Sequence, residues 1–305
     1  MTKINVCILT YQRGELLRVC LDSFRDLIVP EDVEVVVTII DNDSGRGAEA
    51  IVGDYKGALG PLTVEYICEP TQGIPVARNT AIDFSHEIGA DYIAFIDDDE
   101  WVANDWLKNT YDYCLQEGGD IVVSGQVISI FPEGCPEHIQ QSLQRKPRAT
   151  GKELTSCATN NVLFPIRLTK ELGLRFDVSN PLAGGTDTIF FTQAKAKGVS
   201  IVRCAESTVY EKVHESRATI RWISKRKFRA GITEAWRKKH DGVSPAKILF
   251  SNLYHLLVKS LATVVMAALN NKKRRNRSWF KVCKSAGVIS GLFGVEVESY
   301  KVIDS

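Results

Sequence analysis

Three short apolar runs constrain this chain more than any other feature, because each ends abruptly in polar side chains. INVCILT (4–10) runs into Tyr11-Gln12-Arg13, VEVVVTII (33–40) into Asp41-Asn42-Asp43-Ser44, and DYIAFI (91–96) into Asp97, Asp98, Asp99 and Glu100. β-Branched residues at strand length, without polar alternation, describe strands covered on both faces. Between the first two runs, Leu16, Leu17, Cys20, Leu21, Phe24 and Leu27 repeat at helical spacing, which makes a β–α–β unit. TVEYIC (63–68), a turn-rich EPTQG, a helix from Pro75 to about Ile88 and the 91–97 strand continue the alternation. The expected class is α/β, a parallel sheet with helices on both faces. Ligands of such sheets bind beyond the carboxyl ends of the strands, so the three polar clusters are expected to face one crevice.

The cluster 97–100 needs an explanation of its own. Four adjacent carboxylates repel one another and require solvent, a cation or another positive partner. Neither a GxGxxG after the first strand nor a GxxxxGK[ST] occurs, so the usual dinucleotide and P-loop phosphate cradles are missing. Phosphate bound here would depend on a carboxylate-held metal for its neutralisation. The cysteines at 7, 20, 68, 114, 135, 157, 204 and 283 are scattered without a CxxC, which predicts reduced, structural thiols. MTKINVCILT reads as a first strand and not as a secretion leader, and the expectation is a cytoplasmic chain.

Farther along, the pattern predicts a helix at about 104–117, a strand at 120–131, a basic loop at 132–152 and a strand at 159–164. A helix from Thr186 to about Lys197, preceded by an NPLAGG loop, and a basic helix at 217–240 follow. Charge is asymmetric: residues 1–220 hold 20 Lys+Arg against 32 Asp+Glu, and residues 221–281 hold 16 against 2. The carboxyl-terminal part therefore has a different electrostatic partner from the body.

Five segments in this order resemble the glycosyltransferase family 2 enzymes of the GT-A fold, within them the exopolysaccharide transferases of the succinoglycan type. They are ILTYQRGELL, IIDNDS, GIPVARNTAI, FIDDDE and GGTDTIFF, and they cover roughly residues 1–215. The resemblance implies a Rossmann-like, mostly parallel sheet flanked by helices as the catalytic domain, 1–215, with a basic, helical extension, 216–305. It implies an inverting transferase that uses a nucleotide-diphosphate sugar, UDP-linked, with Mn²⁺ or Mg²⁺. Carried over by position, Thr10 and Asp41 fall on the base, Arg78 on nucleotide or pyrophosphate, and Asp97 near the ribose. Asp99 falls on the metal, Asp98 is grouped with the donor-binding acids, and Asp187 is the catalytic base. His214 falls where many relatives carry a further metal or phosphate ligand; a satisfied histidine near a strand end fits that position equally.

The chemistry asks for these residue types. A nucleoside diphosphate leaving group gathers negative charge that a divalent cation on carboxylates stabilises, and inversion needs a separate carboxylate to take the acceptor proton. Each also has a plainer reading: a solvated acidic turn at 97–99, local hydrogen bonding at Asp98 and Glu100, turn chemistry in DNDS, a helix start at Asp187, a surface helix residue at Arg78. Two departures from the family matter. Thr186-Asp187 stands where relatives often have Glu-Asp, and Arg221-Trp222 lacks the Gln of QxxRW, which favours one sugar per encounter over polymerisation. A nucleotidyltransferase would need a glycine-rich basic loop after the first strand, which TYQRGELL does not supply. A catalytically silent membrane scaffold is the alternative from another class.

Residues 248–269 are apolar over about 22 positions and precede NNKKRRNR. Lys259 near their centre disfavours a true span. An interfacial helix on anionic lipid fits, at the cytoplasmic face where a polyprenyl-diphosphate-linked saccharide or other glycan acceptor would be met. A packed core helix fits too. No nucleic-acid recognition module is evident.

Overall fold

The computed structural model describes residues 1–179 and 185–295. Its first unit comprises residues 1–128, 146–179 and 186–211. The apolar runs are β1 (Thr2–Thr10), β2 (Val33–Asp41), β3 (Thr63–Cys68) and β4 (Tyr92–Asp97), joined by α1 (Gly14–Asp22), α2 (Glu49–Tyr55) and α3 (Ile74–Glu87). The chain continues through β5 (Glu100–Val102), α4 (Trp106–Gln116), β6 (Val122–Ile130), α5 (Glu137–Leu143), β7 (Val162–Pro165), α6 (Arg167–Lys170), α7 (Thr186–Ala196) and β8 (Ile201–Lys212). The eight strands form one sheet in the order β3-β2-β1-β4-β7-β6-β8-β5.

The sheet is parallel across β3, β2, β1 and β4, as the crossover helices require, but antiparallel where β7 meets β4 and β6 and where β5 meets β8. The second half is the part that is not parallel: β7 enters from an irregular segment, without a helical crossover to bring it back parallel. Both faces are covered. Ile4, Val6 and Ile8 of β1 pack with Leu17, Leu21, Val52 and Trp106 on one side, while Cys7 joins Ala77, Ile82, Phe95, Phe164 and Phe190 on the other. That double burial is why the strands read as unbroken apolar runs. All eight cysteines are free thiols, five of them buried.

Two local expectations change. The 132–152 segment is not all loop, because α5 buries Ile139. The strand expected at 159–164 begins only at Val162, and Thr159, Asn160 and Asn161 ahead of it are buried polar groups. Asn161 Oδ1 accepts from Trp106 Nε1 at 2.9 Å, and its Nδ2 donates to the carbonyls of Gln126 and Ser207. Of the NPLAGG loop, residues 180–184 lie outside the described residues.

The second unit contains α5 and three long helices, α8 (Ile220–His240), α9 (Pro245–Ala268) and α10 (Lys272–Leu292). Glycines bring α8 and α10 into backbone contact: a Cβ at Gly231 would lie 2.1 Å from Lys284 O, and one at Gly287 2.0 Å from Phe228 O. Ile139, Ile223 and Phe280 form one small core, and Ala235, Ile248 and Val288 another. Helix α9 buries only Ile248 and Asn252.

Candidate active site

Strand register brings Thr10, Asp41 and Asp97 together at the carboxyl ends of neighbouring strands. Thr10 pairs with Asp41 across β1 and β2, and Leu9 pairs with Asp97 across β1 and β4, so three strand ends stop at the same level. The β1–α1 loop then turns at Gln12, whose φ of 53° is unusual for a residue with a side chain.

The four acids divide by alternation. Asp97 is exposed and Asp99 half-buried, whereas Asp98 and Glu100 are buried. Asp98 Oδ2 accepts from Thr10 Oγ1 at 2.8 Å and its Oδ1 from Arg13 Nη1 at 3.2 Å. The same Arg13 nitrogen stands 3.8 Å from Asp99 Oδ2, so one guanidinium faces two of the carboxylates. Glu100 Oε2 accepts from Asp97 N at 3.1 Å, and Asn160 Nδ2 donates to its Oε1 at 2.8 Å. The run is therefore a turn stapled from beneath by its two inward acids, with the outward two presented.

Electrostatics follow burial. Burial, opposed by Arg13 and reinforced by Asp99, pushes the Asp98 carboxyl up to about 6. Arg13 is itself partly desolvated, yet Asp98 and Asp99 hold its charge more firmly than in water. Beneath the turn, burial first and the four acids next push the Cys20 thiol well up, which keeps it inert. Sequence reasoning set Arg13 in the polar cluster after β1 but missed its pairing with Asp98. Its signal was present as a cation one turn after β1, but the partner lies 85 positions away.

Asp41 is buried, and its oxygens already serve the protein. Oδ2 accepts from Ala48 N at 2.9 Å and Tyr66 Oη at 3.0 Å, and Oδ1 from Asp43 N at 3.2 Å. Asn42 beside it fastens the loop ahead of α3: Nδ2 donates to Glu69 O and Thr71 O, and Oδ1 accepts from Gly73 N. Gly73, with φ 153°, then starts the helix that carries Arg78.

Arg78 donates to Thr186 Oγ1 at 3.3 Å, and its guanidinium lies over the Phe176 ring at 5.2 Å. Asp187 follows Thr186 in the first turn of α7, and Thr188 N donates to its Oδ1 at 2.7 Å. The helix start is held by aromatics: Phe190 stacks on Phe176 at 4.4 Å and contacts Phe164, which stacks on Phe95 of β4. Arg78, Thr186 and Asp187 are thus one group, and the departure at Thr186 leaves Arg78 a hydrogen bond to a neutral hydroxyl where a Glu would offer an ion pair.

Among the described residues no group of three or more His, Cys, Asp and Glu side chains converges as a metal cage. A phosphate-bound Mg²⁺ or Mn²⁺ does not need one, since one or two carboxylates plus phosphate oxygens suffice. The outward carboxylates of Asp97 and Asp99 are hard oxygen donors of that kind. His214 belongs to the second unit, exposed, where its Nδ1 accepts from Ser216 N at 3.3 Å and caps the turn Glu215–Arg217.

The family model described as glycosyl transferase family 2 matches residues 5–170. The chain is 33% identical over 304 residues to the succinoglycan biosynthesis protein ExoM of Rhizobium meliloti, covering 97% of this chain and 95% of that protein. It is 25% identical over 202 residues to the poly(ribitol-phosphate) beta-glucosyltransferase of Bacillus spizizenii, covering 65% of this chain but 31% of that one. Among solved structures, S. aureus TarS 1-349 in complex with UDP-GlcNAc superposes with a TM-score of 0.55 at 16% identity, over 91% of this chain and 90% of that one. At that identity the likeness concerns the fold: a mixed sheet with helices and a helical carboxyl-terminal region, the GT-A arrangement.

Proposed function

The chain belongs to glycosyltransferase family 2, and from that premise we propose that it transfers one sugar, with inversion, from a UDP-sugar to a glycan or polyprenyl-diphosphate-linked saccharide at the cytoplasmic face of the membrane. The observation that carries the reading is the stapled acid turn at the level of the Thr10–Asp41 pair, with two carboxylates held outward and two inward. The UDP-GlcNAc bound by TarS, which shares the fold, supports a UDP-linked donor.

In this reading the base and ribose lie along the ends of β1 and β2, beside Thr10 and Asp41, with Asp97 toward the ribose. Asp99 is the carboxylate assigned to Mn²⁺ or Mg²⁺; such an ion, when bound, offsets the charge that grows on the leaving diphosphate. Asp98 and Arg13 hold Asp99 in place and keep the turn from swinging into solvent. Arg78 faces the diphosphate from α3 and steadies Thr186. Asp187 is the general base: Thr188 N fixes Oδ1, and the carboxylate takes the acceptor hydroxyl's proton as that oxygen attacks the anomeric carbon. The aromatic stack under α7 fixes the start of the helix that carries this base.

Calorimetric titration with UDP, GDP and UDP-sugars, with Mn²⁺ and after chelation, tests the reading. Metal-dependent UDP binding by wild type is expected. Asp99→Ala loses the metal dependence, and Asp187→Asn keeps donor binding yet loses transfer. Wild-type transfer by Asp187→Asn, or no nucleotide binding by folded wild type, overturns it.

A further inference from the structure

Helix α9 poses a question that sugar transfer does not answer. It is long and apolar enough to cross a membrane by length and composition, yet only 11% of its most apolar window is buried. Phe250, Tyr254, Leu257, Leu261 and Val264 recur at spacings of four and three, and are 70%, 65%, 69%, 68% and 66% exposed. They form one stripe along the helix. The opposite side, with Ile248 and Asn252 buried, packs on α10. The stripe amounts to on the order of 600 Å² of apolar surface, at the upper limit of what soluble monomers leave open.

Its surroundings identify the occupant. Residues 242–293 contain no Asp or Glu, and carry Lys247, Lys259, Lys272, Lys273, Arg274, Arg275, Arg277, Lys281 and Lys284. Lys281 feels both Lys259 and Arg277, so cations of the two helices are neighbours; burial, then those charges, lower its proton affinity. A second copy of this surface would bring two such cationic sets together, which opposes self-association. An anionic bilayer satisfies both features at once, because its headgroups pair with the cations while its acyl boundary takes the stripe.

We propose that α9 is an in-plane membrane anchor that inserts the Phe250–Val264 stripe into an anionic lipid surface, with the basic start of α10 on the headgroups. A span is disfavoured because Lys259 lies on the packed half, near the middle of the helix. The anchor rests on the transferase reading only in placing the acceptor at a membrane; lipid binding is measured without any sugar donor.

The test is flotation of the full-length protein with vesicles of phosphatidylglycerol and phosphatidylcholine, or of phosphatidylcholine alone. Wild type is expected to float only with the anionic vesicles. Leu257→Glu with Leu261→Glu, at exposed positions that leave packing intact, weakens partition by at least about a hundredfold. Lys272→Gln, Lys273→Gln and Arg274→Gln together weaken it by roughly two orders of magnitude. UDP-sugar hydrolysis in solution is expected to be equal in all three proteins. Flotation unchanged by the leucine pair overturns insertion. A wild-type dimer in solution that the leucine pair dissociates, or retention of wild type by nucleic acid but not by lipid, overturns the choice of occupant. Flotation without any UDP-sugar turnover would support the anchor while defeating the transferase reading.

Discussion

Asp41 offers the sharpest separation between a residue that holds the fold and one that reads the ligand. Its carboxylate, buried at the end of β2, accepts three donors at 2.9, 3.0 and 3.2 Å. In Asp41→Asn the shape is kept, but an amide has one oxygen. Placed at Oδ2 it retains Ala48 N and Tyr66 Oη, and its NH₂ then meets Asp43 N, donor against donor. One charge-assisted bond is lost and two are reduced to neutral strength, a cost of about 3 kcal/mol. For a unit of this size that lowers the melting temperature by on the order of 10 °C. Scanning calorimetry of wild type, Asp41→Asn, Tyr66→Phe and the double variant measures it, and the cycle isolates the Tyr66 bond. UDP titration on the same samples at a temperature below every transition completes the comparison. A variant that melts with wild type yet loses UDP would refute the reasoning, because the oxygens would then serve the nucleotide and not the loop.

Asp98 predicts a pH signature in chelator-treated protein. Its folded pKa of about 6 lies above the ordinary value of 3.8, so its ionisation disfavours the native state. The effect is absent below about 3.8, grows through the interval and reaches about 3 kcal/mol above 6. Asp98→Asn should therefore gain stability relative to wild type as pH rises from about 4 to 6, measured by urea unfolding; a difference independent of pH sinks the assignment. In the second unit, Gly287→Ala places a Cβ 2.0 Å from Phe228 O, a backbone atom, and should destabilise the α8–α10 pair by about 3 kcal/mol in thermal unfolding. Gly53→Ala, whose Cβ meets nothing within 4 Å in α2, is the control and should stabilise slightly.

What sequence alone revealed follows a physical pattern. The strands β1 to β4 were legible because a parallel sheet buries both faces and writes that burial as contiguous letters. The positions of Asp97, Asp99 and Asp41 at strand ends and of Asp187 at a helix start were legible, because these are local features. The pairing of Arg13 was not, since its partners arrive through topology from 85 residues away. Asp98 and Glu100 were legible as local hydrogen-bonding groups, but their partners Thr10, Arg13 and Asn160 were not. Asn160 and Asn161 read as ordinary strand residues, yet one braces Glu100 and the other the indole of Trp106. Helix α9 was ambiguous for a different reason: composition is the same for a core helix and an uncovered one, and only packing distinguishes them.

The staple beneath the acid turn has a consequence for the catalytic cycle. Thr10, Arg13 and Asn160 anchor its inward carboxylates before any donor arrives, so the spacing of the outward pair is set once, when the chain folds. A flexible acidic loop would have to be ordered anew at every encounter, with entropy lost each time and the rate tied to loop closure. In the proposed reading, a turn braced in this way needs little reorganisation on meeting the donor.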